Sequence, residues 1–259
     1  MSSKDLVLIA KNKFVDLVKE TSSPLLWEKE MSFALQAITG NSALEKCNPN
    51  SITTAMVNVA LTGLTLNPKK AYCYLIPRGG KAILDISYQG MIFLMTSQLN
   101  VKSLHAEVVY SKDFYKQVTT EKGIELTHEP DTFAKDRGEI RGCYAIAYLN
   151  GGGCTVATLS EDEITQIKAT SQAAGSKYSP WSGSETIANE MRKKTAIRRL
   201  WKMIPKTERI EEAAEGVRVF DENHEAKFQK PVQDVDAIFE TEEIEYESMD
   251  DMKEETEEK

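Results

Sequence analysis

The sequence predicts an α+β fold: a single compact domain in which helices pack on a β-hairpin and an antiparallel sheet, followed by a disordered acidic C-terminal tail. Three observations predict it. Apolar residues recur at helical spacing near both ends of the body and alternate with polar ones through its middle. The order helix, hairpin, helix, strands, helix lacks the regular strand–helix alternation of a parallel sheet. Acidic residues then dominate beyond residue 206.

Leu6, Ile9, Ala10, Phe14, Leu17 and Val18 form one helical stripe, predicting a helix over 4–20 that Ser23-Pro24 breaks. A second helix is expected over 25–39, stopped by Gly40-Asn41. A third spans 49–62: Asn48 can cap it, Pro49 suits its first turn, and Gly63 ends it. Residues 71–76 and 82–88 alternate in the β sense around Arg78-Gly79-Gly80-Lys81, predicting a hairpin. A short apolar helix over 89–98 follows. Strands are expected at 103–110, 124–128, 140–149 and 154–159, the last two joined by Asn150-Gly151-Gly152-Gly153. Ser160 and Glu163 form a capping box for a helix to about 170. Residues 171–184 read as a polar loop, and Ser182 with Glu185 repeats the box before a helix over 185–204 that Pro205 ends. Residues 221–259 carry too few apolar groups to fold alone, apart from a short amphipathic segment near 235–239. Three segments follow: 1–24, an N-terminal helix serving assembly; 25–205, the core; and 206–259, a mostly disordered acidic tail that binds partners.

The net charge of −8 over 259 residues hides an asymmetry. Residues 206–259 carry 7 Lys+Arg against 20 Asp+Glu, a net of −13, leaving +5 on residues 1–205. A basic body with an acidic tail points toward nucleic acid. No apolar run reaches the ~20 residues of a membrane span. Lys11, Lys13, Asp16 and Lys19 interrupt the N-terminal apolar residues, which excludes a signal peptide. Cys47, Cys73, Cys143 and Cys154 fit no zinc spacing and read as buried thiols of a reducing cytoplasm. No glycine-rich loop ends in Gly-Lys-Ser/Thr, which argues against a P-loop ATPase. His105, His128 and His224 are too scattered for a metal cluster, and Asp85, Glu107, Asp113 and Asp136 make no short two-metal nuclease motif.

Cations concentrate in three places. Lys69, Lys70, Arg78 and Lys81 flank the two turns of the hairpin. On the 185–204 helix, Ala196, Ile197, Leu200, Trp201 and Ile204 share an arc of roughly 140°, and Arg192, Arg198, Arg199 and Lys202 share about 120° on the other side. Lys193 and Lys194 sit at the seams. A solvated face is the ordinary fate of such charges, but no carboxylate follows Glu190 in the helix to make the usual i,i+4 pairs. Arginine forks suit phosphate oxygens. In the preceding loop, Lys177, Tyr178 and Trp181 stand among Ser171, Gln172 and Ser176, a mixture in which phosphates pair and bases stack. Trp181 and Trp201 also read as core plugs. The candidate DNA-binding set is Arg78, Lys81, Lys177, Tyr178, Arg192, Lys193, Arg198, Arg199 and Lys202, with no catalytic or metal-ligating residue.

Helix 49–62 followed by GLTLNPKKAYCYLIPRGGKAILDISYQGMIFL resembles a signature of the RecT family of phage single-strand annealing proteins. SPWSGSETIANEMRKKTAIRRLWKMIP resembles that family's second signature, with Ser179-Pro180-Trp181 ahead of Met191-Arg192-Lys193-Lys194-Thr195. The resemblance spans about 25–205. It implies a protein that coats single-stranded DNA without ATP and anneals it to a complementary strand, in phage-type homologous recombination. It implies rings or helical filaments, a β-β-β-α core, and action in the cytoplasm of a bacterial host. It also implies contact with annealed duplex DNA, a phage exonuclease and the host single-strand-binding protein, with no nucleotide cofactor and the need for a divalent cation left open. Two other classes fit the residues alone: a metal-dependent nucleic-acid-processing enzyme, and a basic scaffold that binds an acidic protein or its own tail.

Overall fold

Caps and glycine turns decide where most elements start and stop. The computed structural model describes residues 7–121, 123–170, 181, 183–208 and 210–211. The expectations for 4–6, for Lys177 and Tyr178, for Ser182 and for the tail beyond 211 lie outside these residues. α1 (Lys11–Glu20), α2 (Trp27–Thr39), the short α3 (Ser42–Glu45) and α4 (Pro49–Thr62) come first. Asn48 caps α4, its Oδ1 accepting from the Asn50 N–H at 2.9 Å. Gly63 ends the helix at φ 67°.

β1 (Cys73–Arg78) and β2 (Lys81–Ile86) pair antiparallel from Cys73↔Ile86 to Arg78↔Lys81. Gly79 and Gly80, at φ 54° and 76°, make the two-residue turn. That geometry matches the strand twist and needs positive φ at both positions. β1 lies two residues later than expected and β2 ends two residues earlier, for local reasons. Ala71 at φ 52° cannot continue a strand, and Ser87 leaves β2 to cap α5 (Tyr88–Gln98), its Oγ accepting from the Gly90 N–H. The turn is fastened to the start of α4: the Asn48 N–H donates to the Gly80 carbonyl at 2.8 Å, and the Ala82 N–H to Ser51 Oγ at 2.8 Å.

β3 (Val101–Tyr110), β6 (Ile140–Leu149) and β7 (Cys154–Ser160) form an antiparallel sheet in the order β3-β6-β7. β4 (Phe114–Thr120) and β5 (Gly123–Glu129) form a separate hairpin. The sequence reading missed β4, whose side chains are nearly all exposed or half-exposed and so show no apolar alternation. α6 (Glu161–Thr170) and α7 (Glu185–Met203) complete the order. The Ser160–Glu163 box forms as predicted: Glu163 N–H donates to Ser160 Oγ at 3.2 Å, and Ser160 N–H donates to Glu163 Oε2 at 3.0 Å. The N-cap position of α7 falls to Ser184 rather than Ser182, because helical backbone begins only at Glu185.

β6 is buried on both faces, and alternation sorts them. Cys143, Ala145 and Ala147, with Ala157 and Leu159 of β7, join the main core beside Leu200 and Trp201. The small alanines let α7 lie close across β3, β6 and β7. Tyr144 and Ile146, with Val109 and Val156, meet Tyr115, Ile124 and Leu126 of the β4–β5 hairpin on the other face. The sheet thus lies between a helical layer and a β-ribbon. No described helix is long and apolar enough to cross a membrane.

Candidate nucleic-acid interface

α7 docks by the predicted arc: Ala196, Ile197, Leu200, Trp201 and Ile204 are all buried. Its cations do not share one fate. Arg192 is mostly buried and forks onto Glu161 of α6, its Nε donating to Oε2 at 2.9 Å and its Nη2 to Oε1. That carboxylate holds the guanidinium above its ordinary pKa. Lys193 Nζ lies 3.4 Å from Glu107 of β3 and 3.7 Å from Glu190. Arg199 Nη2 lies 3.3 Å from Glu163 Oε1, with both side chains about half exposed. Arg198 is half-buried, and Lys202 is exposed. The helix lacks carboxylates of its own past Glu190, but neighbouring elements supply them.

The pairs differ in kind. Arg192–Glu161 is a bidentate, partly desolvated strut between α6 and α7, and such geometry is directional. Arg199–Glu163 is solvated, and pairs of that type are worth about 0.2–1 kcal/mol. A phosphate could displace the second far more readily than the first. Glu163 serves both at once, its Oε2 in the capping box and its Oε1 toward Arg199.

The hairpin places Arg78 and Lys81 directly opposite each other beside the glycine turn, Arg78 half-buried and Lys81 exposed. Lys69 and Lys70 are exposed at the other end of β1. Five residue steps of strand separate the two ends, roughly 17 Å at 3.3 Å per residue. The four cations therefore form two groups. Trp181 is buried in the main core, as a plug would be.

Sequence reasoning missed a buried polar network at the sheet's end. Asp113 accepts from Arg137 Nε (3.1 Å) and Nη2 (2.6 Å), from the Tyr110 N–H (2.9 Å) and from His128 Nε2 (3.2 Å). Burial opposes its charge, but Arg137, the Tyr110 amide and His128 together hold its pKa below the ordinary carboxylate value. His128 Nδ1 reaches Tyr144 Oη at 3.1 Å, and burial with the Glu107 charge pushes that phenol up to about 12. Arg137 stacks 4.2 Å from the Tyr110 ring. Tyr110 Oη donates to Glu185 at 3.0 Å and accepts from Asn189 at 2.7 Å, both in the first turns of α7. The network ties the β4–β5 hairpin and the connection after it to the start of the basic helix. Asp113 and Arg137 lie on either side of the predicted 124–128 strand, and no local pattern in the sequence joins them.

The four cysteines are free thiols, three of them buried, and burial pushes Cys143 up to about 12. Among the described residues, no three His, Cys, Asp or Glu side chains are grouped to hold a metal ion.

The model of the RecT family matches residues 28–232, so the likeness starts slightly later than expected and runs past Pro205 into the acidic segment. Protein RecT of Escherichia coli (strain K12) is 31% identical over 196 residues, covering 72% of this chain and 69% of that protein. With both signature segments inside the matched span, this chain belongs to the RecT family.

Proposed function

We propose that this chain binds single-stranded DNA and anneals it to a complementary strand, working without nucleotide hydrolysis as a ring or helical filament. Membership of the RecT family supports a protein of recombination and strand annealing. One observation carries the DNA-binding reading: α7 is anchored by a buried apolar arc while Arg199 and Lys202 face outward from the same rigid element. Phosphates run along that face, with Arg198 beside it. The loop residues Lys177 and Tyr178 and the hairpin cations Arg78 and Lys81 continue the path. Arg192 and Lys193 border it, held by their carboxylates.

Holding the strand by its phosphates leaves base edges free to pair. Sequence preference is slight, because phosphate contacts carry no sequence information. Pairing itself checks the sequence. ATP is unnecessary because each stacked pair formed releases about 1.4 kcal/mol. The three-stranded sheet β3-β6-β7 followed by α6 and α7 supports the reading of a β-β-β-α core. Side-by-side protomers make the path continuous, the N-terminal helix aids their assembly, and the acidic tail docks partners. Those partners are an exonuclease that exposes 3′ strands and the single-strand-binding protein of a bacterial host cell.

The test is Arg198→Ala combined with Arg199→Ala. Two lost phosphate contacts should flatten the slope of log affinity against log salt by roughly 1.4 for single-stranded DNA. Wild-type affinity and slope in a folded double variant would remove α7 from the path and leave the hairpin cations to carry it.

A further inference from the structure

Phe133 is 95% exposed, a whole phenyl ring standing in water. It sits on the connection between β5 and β6, and that connection is braced. Asp131 accepts from the Phe133 N–H through Oδ1 at 3.2 Å and from the Ala134 N–H through its carbonyl at 3.2 Å. Arg137 is forked onto buried Asp113. Glu139 is tied twice to Ser111, its carbonyl accepting at 2.8 Å and its N–H donating to Oγ at 3.1 Å. Gly138, at φ 82°, packs so closely that a Cβ there would fall 2.1 Å from Ser111 Oγ. A loop fixed this firmly could have turned its ring inward, yet it presents the ring to solvent. The braced segment holds the ring out in water, where a partner surface can cover it.

The charges around the ring select the partner. Asp136 is engaged by Lys112, and Arg137 by Asp113. The other exposed charges of the segment are Glu129, Asp131 and Glu139 against the single cation Lys135. The knob is acidic, which repels DNA phosphates and favours a basic apolar seat on a protein. The same chain carries such a seat. Leu8 and Ile9, 38% and 51% exposed, project from the helical turn over 7–9, whose inner face buries Val7 and Ala10. Exposed Lys11 and Lys13 flank them, and neither makes an ion pair among the described residues.

We infer that Phe133 of one protomer seats against Leu8 and Ile9 of the next, with its acidic rim facing Lys11 and Lys13. The two patches differ, so the contact is head-to-tail. It propagates into a ring or filament rather than closing as a twofold dimer. This rests on the reading that the protein assembles on DNA, and it names the contact that assembly uses.

The test uses the full chain, its particle size measured by sedimentation with and without oligo(dT), and its fold checked by circular dichroism. Phe133→Asp and Ile9→Asp should each reduce the protein to monomers. Mixed in equal amounts, the first supplies an intact seat and the second an intact knob, so a dimer that grows no further should appear. Should Ile9→Asp fail to fold, Lys11→Glu with Lys13→Glu attacks the same seat through exposed side chains only. Wild-type assembly in either variant would overturn the contact, as would a mixture that stays monomeric. Phe133→Ala that assembles normally but loses oligo(dT) affinity would also overturn it, placing the ring on a base instead. Failure of the wild-type chain to bind DNA or to anneal it would instead strike the functional reading, which the size measurement leaves separate.

Discussion

Glu163→Gln should make the protein bind single-stranded DNA more tightly. Glu163 sits 3.3 Å from Arg199, where it competes with any phosphate approaching that guanidinium. Glutamine is as good a capping-box partner as glutamate, so the start of α6 should survive the change. Both side chains are about half exposed, which places the pair among solvated ion pairs worth about 0.2–1 kcal/mol. Removing the competitor should return that amount to binding, a gain of about 1.4- to 5-fold per protomer. A freed Arg199 adds up to one phosphate contact, steepening the salt slope by as much as about 0.7. Fluorescence anisotropy of labelled oligo(dT) across a salt series reads both quantities. Ser160→Ala is the control, because it weakens the cap and leaves the Arg199 pair in place. Two results would refute the reasoning. One is Glu163→Gln binding like wild type while Arg199→Ala binds weakly. The other is an equal gain in the Arg199→Ala background, which would mean that general charge and not this pair is at work.

Three further outcomes are expected. Trp201→Ala, which removes a fully buried ring from under α7, should cost about 3–5 kcal/mol in denaturant unfolding, and a small loss would contradict the packing. Asp113 is held below its ordinary pKa, so its contribution to stability is present above the unfolded value of about 3.9 and is lost as pH falls through the folded value. Asp113→Asn should lower Tm at neutral pH and flatten the acid limb of a Tm–pH curve, and an unchanged limb would show that the Arg137 fork contributes nothing. Truncation after residue 225 should spare annealing and abolish partner capture, checked by an annealing assay beside a circular dichroism spectrum, and loss of annealing by the folded, truncated chain would put the tail in the reaction.

What the sequence made legible was local. Asn48 and Gly63 around α4, the two glycines between Arg78 and Lys81, and the Ser160–Glu163 box each act within a few residues, and each appears where it was read. The apolar arc of α7 was equally plain, because period alone sets which side chains face inward. What escaped depends on distance along the chain. Glu161 meets Arg192 across 31 residues and Asp113 meets Arg137 across 24. The missing carboxylates of the basic helix therefore looked like a vacancy for phosphate when Arg192, Lys193 and Arg199 already had carboxylate partners. β4 escaped for another reason: it lies on the outer β-ribbon, where neither face is deeply buried and alternation carries no signal.

The central claim is strand annealing without nucleotide, and pairing kinetics test it most directly. Two complementary oligonucleotides carrying a donor and an acceptor dye are mixed with the purified chain, without ATP, and energy transfer is followed as the protein concentration rises. The account predicts that pairing accelerates as protein covers the strands. Acceleration should be equal for unrelated sequences of the same length and weakened by Arg198→Ala with Arg199→Ala. Pairing no faster than in buffer, at concentrations where anisotropy shows the strands bound, would contradict it.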